Sequence, residues 1–361
     1  MRCSILKGLN KRIYPSMRHP EDSIAARRST GTHHRYGLRG KAWRAAVWLA
    51  ALCCAHGVFA QTWQPSKPVE ISIPTTPGGG MDRTGRTLQR IFQETGLIKV
   101  PVTVVNKPGG GGAVSVSYLN QHAGDAHFVA INSPNLIAND LNGRGRYTEV
   151  TPLGNLFSEY TVIAVRADSS IRNGQDFVSR LRKDPASIAV TTPTTLGSIN
   201  HLSFALVAKS AGVDIRKLKA VVLGSGGDAV TAVLGGHVDA HTGTPSSVVR
   251  MVEAGKIRVI GVLAPRRIGG PYANTPTWTE QGFGAVMDTW RGVIGPKGMT
   301  AEQVAFWDQV LAKAVVTDTW KREVERNVWE SNYLNSAQTA KLFEADYAEF
   351  KGLLTELGLV K

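Results

Sequence analysis

The sequence predicts an α/β fold with two α/β halves, each layered around a mainly parallel sheet. Three observations carry this. From Val69 onward, short strand patterns alternate with helical patterns. Glycine- or Ser/Thr-rich turns follow the strands. A second strand–turn–helix series begins near Asp168. Alternation of this kind is what layered α/β domains produce.

The first unit sets the pattern. Val69-Glu70-Ile71-Ser72-Ile73 alternates apolar and polar residues as a strand does, and Pro77-Gly78-Gly79-Gly80-Met81-Asp82 follows. A helix is expected from about Thr84 to Thr95. A strand that ends in glycines and opens a helix leaves backbone N–H groups without intrahelical partners. The helix dipole adds positive potential there, which suits an anion. The dinucleotide fingerprint G-x-G-x-x-G fails at Arg83. The triphosphate loop fails because Arg86 and Thr87 follow Gly85.

Val100–Val105 reads as the second strand, closed by Asn106-Lys107-Pro108 and four glycines, Gly109 to Gly112. Phe128–Ile131 is the third and ends at Asn132-Ser133-Pro134-Asn135, and Thr161–Val165 is another. In the second series Ile188–Val190 runs into Thr191 to Ser198, with a helix expected from Ile199 to about Ala211. Val221–Leu223 leads into Gly224-Ser225-Gly226-Gly227-Asp228, and Val238–His241 and Ile257–Leu263 read as further strands. The last 60 residues carry apolar residues three to four apart, as in Val304, Trp307, Val310, Leu311 and Ala314. That spacing predicts core-facing helices. In open parallel sheets the ligand crevice lies beyond the carboxyl ends of the strands, so the two halves are expected to share a cleft.

The first 60 residues differ in kind. They hold 11 Lys/Arg against 2 acids, then an apolar run from Ala45 to Ala60 broken by His56 and closed by Val58-Phe59-Ala60. This predicts a secretory signal peptide cut after Ala60, and hence a periplasmic protein. The whole chain is +14, but residues 61–361 keep 31 Lys/Arg against 26 acids, only +5. A nucleic-acid partner is therefore not expected. All three cysteines (Cys3, Cys53, Cys54) lie in the leader, which excludes disulfides, thiolate metal sites and a thiol nucleophile from the rest. No G-x-S-x-G elbow and no H-E-x-x-H stands anywhere in the chain, so no enzyme is expected.

Several segments in order resemble a known family. They are P-G-G-G-M-D at Pro77 to Asp82, N-K-P-G-G-G-G at Asn106 to Gly112, and L-G-S-I-N-H at Leu196 to His201. Ser225 to Asp239, E-A-G-K-I-R-V-I-G-V at Glu253 to Val262, and W-R-G-V-I-G-P-K-G at Trp290 to Gly298 complete the set. The chain after the leader resembles the extracytoplasmic solute receptors of tripartite tricarboxylate transporters, also called Bordetella uptake gene receptors.

The resemblance implies a type II periplasmic binding protein fold, two α/β domains with a ligand cleft between them. Domain 1 is expected at residues 61–165 plus 288–361 and domain 2 at 166–287, joined by crossings near Val162–Arg166 and Asp288–Val293. It further implies a small organic carboxylate ligand, a di- or tricarboxylate such as citrate, gripped by hinge closure. The implied contacts are Pro77, Gly78, Gly79, Gly80 and Asp82 on one wall, with Ser133 and Asn135 beside them. Thr194, Thr195, Gly197, Ser198 and Asn200 face them, flanked by Ser225, Gly226 and Asp228. Asp82 is slightly better suited to capping its own helix than to ligand contact. Large and small integral membrane subunits are the implied partners of a monomeric receptor; an orphan carboxylate sensor and a secreted hydrolase are the rival readings. His237, Asp239 and His241 would share one face of a strand as N/O ligands. That stretch is ordinary family sequence, so neither metal nor cofactor is expected.

Overall fold

The computed structural model describes residues 63–360, so the expected leader lies outside the described residues. Two sheets organise the chain. The first has the order β11-β4-β10-β3-β1-β2, with β1 Val69–Ile73, β2 Val102–Asn106, β3 Phe128–Asn132, β4 Val150–Tyr160, β10 Asp288–Pro296 and β11 Leu334–Asn335. The second has the order β7-β6-β8-β5-β9, with β5 Val162–Arg166, β6 Val190–Pro193, β7 Ala220–Leu223, β8 Ala240–Gly243 and β9 Ile257–Val262.

Each sheet has a parallel centre, β2-β1-β3 in the first and β7-β6-β8 in the second. Helices return the chain between these strands, as parallel neighbours require. The sheets are mixed rather than mainly parallel: β10, β4 and β11 run antiparallel in the first, and β5 is antiparallel to both its neighbours in the second. Of these, β4, β5 and β10 flank the passages between the sheets. Pro152 and Gly154 break the alternation of β4, so its sequence hides a strand that pairs with β10 from Tyr160–Asp288 to Val150–Pro296.

The change of sheet falls at Thr161, between β4 and β5. There the Thr161 amide donates to Met287 O at 3.1 Å, Leu263 N to Thr161 O at 2.9 Å, and Met287 N to Leu263 O at 2.8 Å. Three backbone bonds thus bind the outgoing and returning strands at one point. Thr161 is fully buried, and its hydroxyl donates to Ser203 Oγ at 2.9 Å.

The β1 side chains Val69, Ile71 and Ile73 pack with Phe92, Phe157, Trp307 and Leu311 in the core of the first lobe. Helix Ala301–Ala314 enters that core through a capping box, Thr300 with Gln303, which satisfies two otherwise orphaned amides. Another buried cluster spans the lobes: Leu136 and Ile137 of the first share it with Leu202 and Phe204 of the second. Phe343, Phe350 and Leu354 of the final helix, Ser336–Glu356, join it.

Candidate functional site

The turns after β1, β3, β6 and β8 converge where the lobes meet. They enclose a cavity of about 50 Å³, room for roughly three waters. The first lobe lines it with Thr75, Gly79, Gly80, Met81, Ser133, Asn135 and Arg291, the second with Pro193, Thr194, Ile199, Asn200, Gly226, Gly243, Thr244 and Ser247.

The glycine turn owes its shape to local geometry. Gly78 has φ +91°, a conformation that favours glycine. Gly79 lies so near the opposite lobe that a Cβ there would stand 3.8 Å from Ser225 Cβ. Asp82 does not reach the cavity. It accepts from Gly78 N at 3.0 Å, Asn106 Nδ2 at 3.0 Å and Arg86 Nε at 3.0 Å. Burial alone would raise its pKa, but these donors outweigh burial and hold the carboxyl below its usual range. Asp82 therefore braces the loop, reaching back to Gly78 rather than forward along its helix as a cap. Arg83 is half-buried and bonds Ser246 O and Asn327 Oδ1.

The opposite turn is held by its own motif. Gly197, φ +79°, donates to His201 Nδ1 at 3.0 Å, and a Cβ there would fall 2.6 Å from Asn142 Nδ2. This explains the glycine and histidine of L-G-S-I-N-H. His201 is buried and its imidazole is pushed down to about 4 by desolvation, so it stays a neutral acceptor. Ser198 turns its hydroxyl toward Thr192 Oγ1 at 3.1 Å and Pro193 O at 3.3 Å, away from the cavity. Thr194 is a β-branched residue at φ +83°, and its hydroxyl accepts from Asn135 Nδ2 at 3.3 Å across the cleft. Strain at such a residue is characteristic of functional turns.

Of the residues expected to bind ligand, Gly79, Gly80, Ser133, Asn135, Thr194, Asn200 and Gly226 line the cavity. Pro77 and Gly78 are exposed at its rim, and Thr195 packs beside Gly111. Ser225 caps its helix through Asp228 N at 3.2 Å, while Asp228 Oδ2 accepts from Thr76 Oγ1 at 3.0 Å. These eight, with Asp82, Gly197 and Ser198 among them, shape the turns and stand off the cavity wall.

Pattern reading missed Arg291, which the W-R-G-V segment contained. It lies on β10, is 6% exposed, and pairs with Glu159 of β4 at 3.4 Å. Glu159 also accepts from Ser246 Oγ at 3.1 Å. Burial raises the Glu159 carboxyl above its usual range, against the pull of Arg291 and Ser246. Thr75 Oγ1, Arg291 Nε and Asn200 Oδ1 are buried without a hydrogen-bond partner, and all three residues line the cavity. Unpaired buried polar atoms in one cavity call for an oxygen-rich, polar guest. Outside, Gly78 and Gly79 also border a groove of about 310 Å³ lined by Arg83, Arg86, Arg90, Arg250 and Arg326, with Asp82 and Glu323.

Among the described residues no three His, Cys, Asp or Glu side chains are placed to hold a metal. His241 instead bonds Thr191 Oγ1 at 3.0 Å and Ser247 Oγ at 3.3 Å, and Asp239 accepts from Ala189 N at 2.8 Å. Among the described residues no helix is long and apolar enough to cross a membrane.

Two α/β lobes with two passages between them and a polar cleft where they meet are the architecture of a solute-binding receptor. Residues 89–359 match the family described as tripartite tricarboxylate transporter family receptor, and the chain belongs to that family. It is a substrate-binding receptor and not an enzyme. A curated relative from Cupriavidus necator, the UPF0065 protein in the gbd 5′ region, is 26% identical over 322 residues, 87% of this chain and 96% of the relative. An R. palustris protein solved with adipate is 22% identical at a TM-score of 0.75, covering 82% of this chain and 99% of that one. MatC from Rhodopseudomonas palustris, solved with bound malate, is 19% identical at 0.72, covering 80% and 99%. At these identities the two structures show the shared fold.

Proposed function

We propose that this protein is a periplasmic receptor that captures a small di- or tricarboxylate in the cleft between its lobes and releases it unchanged. The observation that carries the reading is the meeting of two strand–helix turns from opposite lobes around a cavity whose one charged lining residue, among the described residues, is Arg291. Backbone amides at helix N-termini and hydroxyls suit an oxyanion. Malate and adipate in two proteins of the same fold support a dicarboxylate class, with citrate as the tricarboxylate to test.

The lobes are taken to close as domains about Thr161 and Met287. Direct contacts across the cleft, Asn135 to Ile199 and Thr76 to Asp228, leave space only for water. Entry of a ligand therefore requires opening. Delivery goes to large and small integral membrane subunits, with the leader removed after Ala60 and the receptor acting as a monomer. Calorimetry of residues 61–361 against mono-, di- and tricarboxylates, with scattering before and after saturation, tests this. Binding heat with compaction supports the reading; no heat with any carboxylate overturns it.

A further inference from the structure

The Glu159–Arg291 pair offers more than the receptor reading requires. Its members sit on adjacent antiparallel strands, β4 and β10, where Glu159 faces Thr289 and Arg291 faces Phe157 in register. Both are almost wholly buried, with side-chain exposures of 0% and 7%. A guanidinium carries five N–H donors in a planar fork. Here Nη1 donates to Thr289 Oγ1 and Trp290 O, each at 2.9 Å, and Nη2 approaches Glu159 Oε1 at 3.4 Å. Nε–H has no acceptor. The 3.4 Å separation is too long for a strong hydrogen bond, so the ion pair neutralises charge without consuming the fork. Thr75 Oγ1, another cavity-lining donor, is also unpaired. Among the described residues no Asp or Glu lines the cavity itself.

We propose that Arg291 is the anchor for a second carboxylate of the ligand and sets the preference for dicarboxylates over monocarboxylates, with Glu159 as its positioning residue. The inference rests on the receptor reading, and assigns within it a group that the glycine and Ser/Thr turns do not supply. Those turns offer amides and hydroxyls, which hold one carboxylate of any acid equally well. A buried cation adds affinity only for an acid that brings a second charge to it. Glu159 keeps the guanidinium compensated while the cleft is empty. It also accepts from Ser246 of the second lobe, so the anchor is aligned when the lobes meet.

The test measures dissociation constants by calorimetry for matched pairs, succinate against butyrate and adipate against hexanoate. Arg291→Gln is expected to weaken dicarboxylate binding by about 10- to 100-fold, the loss of a charge-assisted hydrogen bond, and monocarboxylate binding by less than about 3-fold. Arg291→Lys should fall between, since it keeps the charge and loses the fork. Glu159→Gln should weaken dicarboxylate binding several-fold relative to monocarboxylate, because the guanidinium loses the carboxylate that aligns it. This variant and Arg291→Lys carry the test if Arg291→Gln does not fold. Equal losses for both members of each pair, or an unchanged ratio in every folded variant, would overturn the anchor and leave the receptor reading standing. Wild-type protein that binds neither member overturns both.

Discussion

Asn135 of the first lobe accepts a hydrogen bond from the Ile199 amide of the second, Oδ1 to N at 2.9 Å. The N-cap residue of helix Ile199–Ser210 is Ser198, which makes no side-chain cap because its hydroxyl bonds Thr192 and Pro193. The amide left free at that helix end is satisfied from across the cleft. Asn135 is thus a cap supplied by the opposite lobe, and it couples closure to the helix terminus where an anion would be favoured.

Asn135→Ala should remove that cap and weaken closure by about 1 kcal/mol, close to a fivefold loss of ligand affinity. The radius of gyration of the ligand-free protein should rise toward an open form. Unchanged affinity and unchanged scattering would show that the contact does not hold the lobes together.

Gly79→Leu should abolish carboxylate binding while leaving the fold intact. The backbone at Gly79 has φ −83°, which any residue adopts, so the turn tolerates a side chain. A Cβ there already touches Ser225 and Gly226 at 3.8 and 3.9 Å, and the rest of a leucine would occupy the space into which the lobes close. Calorimetry that finds wild-type affinity in a normally folded Gly79→Leu protein would remove this turn from the site.

Acid should destabilise the protein from about pH 6.5 downward. Burial depresses His201 and His241 to about 4 each, against 6.5 for a free imidazole. A group depressed in the folded state binds its proton more readily when unfolded, so stability is full above 6.5 and is lost as pH falls toward 4. The loss is on the order of a few kcal/mol at the acid end. Melting temperature against pH reads the loss, and NMR titration of the two rings assigns it. Rings that charge above about pH 6 would contradict the burial argument.

Ligand association should slow as salt rises. The arginine groove beside Gly78 and Gly79 places Arg250 and Arg326, both exposed, near the cleft mouth. Such a field raises encounter rates for anions and is screened within about 8 Å at physiological ionic strength. Stopped-flow rates for a dicarboxylate should fall several-fold from 10 to 300 mM salt, and Arg250→Glu should flatten the slope. Salt-independent rates would separate the groove from capture.

The sequence by itself determined the units of this fold. β1 matches its alternating pattern from Val69 to Ile73, and the helix that begins at Ile199 was read from the same local signals. Strand pleat, helix period and the positive φ of Gly78 and Gly197 are imposed by neighbours a few residues away, so one chain segment suffices to reveal them. The family resemblance likewise marked Gly79, Asn135, Thr194 and Asn200 for the cleft. Which turn residues face the cavity was decided elsewhere. Asp82 and Asp228 looked like binding groups, yet each is taken up by donors within its own turn or across the cleft. Arg291 looked like an ordinary strand residue, and became the cavity's charged lining once β10 lay against β4. Strand pairing between distant segments chooses which polar groups are satisfied and which are left facing a cavity. No local pattern encodes that choice, so only the assembled tertiary structure could place the cation.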